Sequence, residues 1–133
     1  MIFVDTGAIV GRYLPDDQHH AAARVGWQKI REKQLACCTS NLVVVEAITL
    51  LTRRAGGAFA AETGRLLYSS QALRILRTSP DDEIAALAWL HKFSDQSLSF
   101  TDGVSFVLMR RHGLRHAFTF DRHFVLAGFS REF

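Results

Sequence analysis

Short apolar runs, each followed by a segment of helical spacing, constrain this chain more than any other feature. Ile2–Val4, residues 35–38, Leu73–Leu76 and residues 117–120 read as strands, and Gly128-Phe129 is a candidate start for a fifth. Helices are expected over residues 7–14, 17–33, 41 to about 54, 58–70, from Pro80 onward, and 99–113. Strands separated by amphipathic helices imply a parallel sheet covered on both faces. No repeat, low-complexity tract or linker divides the sequence, so residues 1–133 are expected to form one domain.

Local signals support these elements. Thr39-Ser40-Asn41 supplies capping oxygens for the third helix, and Gly56-Gly57 breaks it into an αα-hairpin with the fourth. Pro80-Asp81-Asp82-Glu83 opens the next helix with proline and acids in its first turn. Apolar faces are expected at Ala21, Val25 and Ile30 beside Trp27, at Phe59, Leu66 and Leu67, and at Ile84, Leu87, Ala88 and His91.

Four acids stand among apolar neighbours: Asp5, Glu46, Asp102 and Asp121. An ionised carboxylate against apolar surface is costly unless it is paired or bound to a metal. Glu46 is the clearest case. Its helical neighbours three and four residues away are Leu42, Val43, Thr49 and Leu50, none of them cationic. The other three have local alternatives: Asp5 can cap the first helix, Asp102 fits a capping box from Ser99, and Asp121 can cap a turn through Arg122-His123-Phe124. In parallel sheets, however, sites form beyond the carboxyl ends of the strands. Asp5 and Asp121 each follow a strand directly, so one divalent cation gathering all four acids is the economical reading. Oxygen donors without nitrogen or sulfur suit magnesium or manganese.

Other chemistries find less support. The six histidines show no zinc spacing, and no glycine-rich phosphate loop is present. Cys37 and Cys38 are adjacent and read as buried hydrophobes in a reducing compartment. The opening residues lack a basic n-region and no apolar stretch is long enough to span a bilayer, so a cytoplasmic protein without membrane contact is expected. A net charge of +3 permits a polyanionic partner without demanding one. Asp5-Thr6-Gly7-Ala8 matches the catalytic tetrapeptide of aspartic proteases, but the helical periodicity after residue 17 opposes the β-rich fold such enzymes need.

The acids, in this order and setting, resemble those of PIN-domain ribonucleases, most closely the VapC-type toxins of toxin–antitoxin pairs. Val4-Asp5-Thr6 is similar to the first family motif, and Asn41-Leu42-Val43-Val44-Val45-Glu46 carries its helical glutamate. Leu98-Ser99-Phe100-Thr101-Asp102 and Phe118-Thr119-Phe120-Asp121-Arg122-His123-Phe124 match the last two. Gly7 departs from the family, where a polar side chain is common. The resemblance implies a three-layer α/β/α sandwich with a short, mainly parallel central sheet. It also implies magnesium or manganese held by Asp5, Glu46, Asp102 and Asp121, and endonucleolytic cleavage of RNA. A cognate antitoxin bound near the N-terminal helices and a homodimer complete the expectation. Thr6, Ser105, Arg12, Arg122 and His123 are candidates for contacting substrate, and Arg12, Arg53, Arg54, Arg110, Arg111 and Arg122 for holding RNA backbone. A non-catalytic RNA- or protein-binding module, or a DNA-directed nuclease using the same pocket, remain the alternatives.

Overall fold

The computed structural model describes all 133 residues. Five strands, β1 (Ile2–Val4), β2 (Cys37–Ser40), β3 (Leu73–Leu76), β4 (His116–Phe118) and β5 (Ser130–Arg131), form one sheet. Their spatial order is β3-β2-β1-β4-β5, and every pairing is parallel. Seven helices occupy the connections: α1 (Thr6–Tyr13), α2 (His20–Glu32), α3 (Asn41–Ala55), α4 (Gly57–Ser69), α5 (Pro80–Lys92), α6 (Phe100–Arg111) and α7 (His123–Leu126). Every residue of β1 and β2 is buried. Side chains alternate across a strand, so consecutive burial means cover on both faces. The three-layer α/β/α architecture is the expected one. No helix is long and apolar enough to cross a membrane.

Strand order positions the site. From β1 the chain lays β2 and then β3 on one side, then returns through α5 and α6 to place β4 and β5 on the other. Reversal of strand order leaves a crevice beyond the carboxyl ends of the strands where it occurs. Asp5 leaves β1 at that point, and residues 119–121 leave β4 beside it.

Several boundaries differ from those the sequence suggests, each for a local reason. The strand expected over residues 35–38 is Cys37–Ser40 instead. Leu35 is consumed by the end of α2, where its amide donates to Ile30 O at 3.0 Å and the Gln34 amide donates to Arg31 O at 3.2 Å. Gln34 adopts φ 51°, so this is a Schellman ending with a non-glycine residue in the left-handed position. Gly128, at φ 97°, ends α7 in the same manner, with the Phe129 amide on Phe124 O. The fifth strand therefore begins at Ser130, after Gly128-Phe129. Helix α2 begins at His20, later than Asp17, because Asp17 accepts from the His19 amide and joins Arg54.

The helix faces that pack are not the most apolar ones. Helix α2 buries Ala23, Gly26 and Ile30, while Ala21 and Val25 are exposed. Helix α4 buries Ala60, Thr63, Gly64 and Leu67, leaving Phe59 and Leu66 outside. On α5, Ala86 and Trp89 are buried, whereas Ile84 is 65% and Leu87 53% exposed. Small residues let these helices approach closely. A Cβ at Gly26 would fall 2.4 Å from Phe118 Cζ. Phe118 cannot yield, being wholly buried among Trp27, Phe120 and Phe133. Gly26→Ala is expected to cost about 1–3 kcal/mol in urea unfolding, despite alanine's better helix propensity. An unchanged or increased midpoint would contradict this packing.

Candidate active site

Hydrogen bonds tie the ends of β1 and β4 into one ledge. Asp5 caps α1, its Oδ1 accepting from the Thr6 amide at 2.8 Å. Its Oδ2 accepts from the Thr119 hydroxyl at 2.8 Å, and that hydroxyl accepts from the Asp121 amide at 2.9 Å. Asp121 Oδ1 in turn accepts from the His123 amide at 2.8 Å. Asp102 arrives from α6, where it and Ser99 exchange capping-box bonds of 3.2 and 3.1 Å. The capping geometry anticipated for Asp5, Asp102 and Asp121 is thus present in all three. A carboxylate offers about four lone-pair sites, so each retains capacity to bind elsewhere. Glu46, half-buried on α3, has no hydrogen-bond or ion-pair partner in the chain.

All four acids line one cleft of about 650 Å³, together with Thr6, Arg122 and His123. Burial pushes the Asp5 carboxyl up to about 7, and the charge of Asp102 adds to it. Bonds from Thr119 and Thr6 hold it partly down, and Glu46 raises it again. Asp102 is pushed up to about 6 by burial, then by Asp121 and Glu46. The acids therefore sense one another across the cleft. Two arginines line it, but Arg54 is engaged by Asp16 and Asp17, and exposed Arg122 forms no ion pair.

The donor set fits a hard divalent cation. Ligand atoms of Asp102, Asp121 and His123 lie within 4.8 Å of one another. Asp5 and Glu46 face the same cleft from β1 and α3. The buried Thr6 hydroxyl and both ring nitrogens of His123 lack hydrogen-bond partners. His123 Nδ1 stands 2.7 Å from Asp121 Oδ1, but its orientation makes no hydrogen bond, and the His123 amide occupies that oxygen. A hydrated ion would supply partners to these groups.

The other sequence candidates separate. Ser105 is wholly buried and donates to Thr101 O at 2.9 Å, so it packs inside α6 and does not line the cleft. Arg12 lies outside the acidic cleft, over the Trp27 ring. Thr119 was not singled out by sequence, although it joins two of the acids. Its one local signal is a hydroxyl two residues before Asp121 at a strand end. Thr119→Val is expected to cost about 1–3 kcal/mol, because two polar groups lose a buried partner. Asp5 should also titrate higher, since that bond favours its ionised form. Urea unfolding and carboxyl NMR titration read the two effects; an unchanged Asp5 titration would contradict the link.

The sequence profile of the PIN domain matches residues 2–129. The chain belongs to the PIN-domain family. A 23S rRNA-specific endonuclease of Mycobacterium tuberculosis, VapC20, is 37% identical over 131 residues, 97% of this chain and 95% of that protein. The crystal structure of VapC20, described as a sarcin–ricin loop cleaving toxin, superposes with a TM-score of 0.87 at 33% identity, covering 97% and 96% of the two chains. FitAcB from Neisseria gonorrhoeae shares the fold at a TM-score of 0.65 and 19% identity, covering 98% and 96%. A toxin–antitoxin complex from Klebsiella pneumoniae shares it at 0.60 and 12%, covering 92% and 88%. The parallel PIN-domain sheet, with Asp5 capping a helix, also removes the aspartic-protease reading of Asp5-Thr6-Gly7-Ala8.

Proposed function

We propose that this PIN-domain chain is the toxin of a toxin–antitoxin pair, an endoribonuclease dependent on magnesium or manganese. The observation that carries the reading is the set of four mutually repelling carboxylates in one cleft, with no lysine or arginine paired to any of them. The extended similarity to VapC20 supports an RNA substrate, with large ribosomal RNA and its sarcin–ricin loop as the first to test.

In this mechanism Asp5, Glu46, Asp102 and Asp121 would hold the ion, with His123 beside them. Bound there, such an ion would supply positive charge for the phosphate and Lewis acidity toward a water. The protein's part is placement. Thr119 and the Thr6 amide fix both oxygens of Asp5, the Ser99 capping box fixes Asp102, and the His123 amide fixes Asp121. Arg122 lines the cleft, is exposed and has no ion-pair partner, which supports a contact with a backbone phosphate. No side-chain nucleophile is required.

Purified protein incubated with 23S ribosomal RNA should cut it at a defined site when magnesium or manganese is present, and not after chelation. Cleavage that persists in chelator would remove the metal from the mechanism. Binding without cutting across ribosomal, messenger and transfer RNA would favour a non-catalytic module. The reading includes cytoplasmic action, a cognate antitoxin near α1 and α2, and pairing of two copies. Light scattering with and without the antitoxin reads both assemblies.

A further inference from the structure

On the other face of α1, three guanidinium groups share a groove that the acidic site does not use. About 550 Å³ lies between α1 and α2, lined by Arg12, His20, Arg24, Trp27, Gln28 and Arg31 among others. No carboxylate lines it, and none of the three arginines enters an ion pair. Arg24, Gln28 and Arg31 recur along one face of α2. Arg12 is held over the Trp27 ring, 4.7 Å from its centroid, and Trp27 is itself anchored to Ala8 O at 2.9 Å. Like charges gathered without a counter-charge disfavour the bare protein, and guanidinium forks match phosphate oxygens.

The groove adjoins the acidic cleft. His19 lines the cleft, its ring stacked on Phe120 with centroids 4.3 Å apart. The next residue, His20, lines the groove and bonds Gly11 O through Nδ1 at 2.7 Å. Consecutive residues at the start of α2 thus line the cleft and the groove. We propose that the groove is a phosphate subsite for the RNA backbone flanking the cleaved bond. This rests on the ribonuclease reading. RNA is favoured over an acidic protein because the groove begins one residue from the lining of the cleft and sets three unpaired guanidinium groups beside an aromatic ring, a combination that suits a nucleic-acid backbone.

The test uses a fluorescent RNA hairpin with the sarcin–ricin loop sequence and protein carrying Glu46→Gln to prevent turnover. Fluorescence anisotropy compares this protein with one that also carries Arg24→Gln and Arg31→Gln, across about 50–200 mM salt. Both arginines are exposed and glutamine keeps helix propensity, so the fold should persist. Affinity should fall about tenfold or more, and the slope of log Kd against log salt by about 1.4–1.8, the share of two phosphate contacts. In the cleaving protein, KM should rise with kcat little changed. Arg65→Gln on α4, outside groove and cleft, should match the parent. Binding within twofold of the parent at an unchanged salt slope overturns the subsite, while the ribonuclease reading stands if the parent still cuts. A parent that neither binds nor cuts RNA sinks both. Loss of affinity for polyglutamate alone, with RNA binding intact, assigns the groove to a protein and also overturns the proposal.

Discussion

Glu46→Gln is expected to slow RNA cleavage by about a thousandfold or more while leaving the fold at least as stable. Placing a divalent ion against the reacting phosphate is worth several kcal/mol, and about 4 kcal/mol corresponds to about a thousandfold in rate. Glutamine keeps the shape of the side chain but removes the charge that Asp5 and Asp102 sense across the cleft. Glu46 makes no bond that the substitution would break, so relief of repulsion is the main structural consequence. The parallel change Asp102→Asn separates the effects less cleanly, because Asp102 also closes the capping box with Ser99. Single-turnover cleavage and urea unfolding read the two properties. Activity within tenfold of the parent, or a large loss of stability, contradicts the role given to Glu46.

The apo protein is expected to lose stability as pH rises from about 4 to about 7, and divalent ions should restore it. Asp5 titrates near 3.8 in an unfolded chain but at about 7 in the fold, so the folded state binds more protons between those values. Excess protonation of the folded state means stability that is complete below the lower value and lost through the upper one. For Asp5 the loss is a few kcal/mol at most. Asp102 acts in the same direction up to about pH 6. Asp17 acts oppositely: its partial burial is outweighed by its bond to Arg54, which holds it below the usual range. That stability is gained as pH rises to about 4 and lost on acidification, so the two windows scarcely overlap. A cation that binds only ionised acids should raise the melting temperature strongly at pH 8 and weakly at pH 5. A flat pH profile without metal, or equal metal shifts at both pH values, contradicts the coupling.

Much of the fold was legible because its signals are local. Leu73–Leu76 carries its strand in four residues, Ser40 caps α3 through a bond to Val43, and Pro80 opens α5. Features that neither residue type nor periodicity announces were not legible. Gln34 takes a left-handed turn usually given to glycine, which displaces β2. Gly26 and Gly64 face the interior because Phe118 and Ile48 occupy the space a side chain would need. No periodicity of apolar residues reports that.

The site divides along the same line. Glu46 among aliphatic neighbours, and Asp5 and Asp121 at strand ends, announce themselves as charges in costly places. Thr119 does not. Its hydroxyl matters because folding brings it to Asp5, 114 residues away. The pairing of Arg54 with Asp17, which withdraws one cation from the cleft, spans 37 residues and leaves no local trace. Arg12 reads from sequence as one of several possible backbone contacts. Only the fold shows it sharing a groove with Arg24 and Arg31.

The most direct measurement is titration of manganese into the protein near pH 7.5, following the free ion by electron paramagnetic resonance. Ion should disappear from solution on mixing with the parent, and at least tenfold more weakly with Asp5→Asn or Asp102→Asn, both still folded. Parent protein that takes up no manganese, or variants that take it up equally well, would contradict the claim that these acids form one cation site.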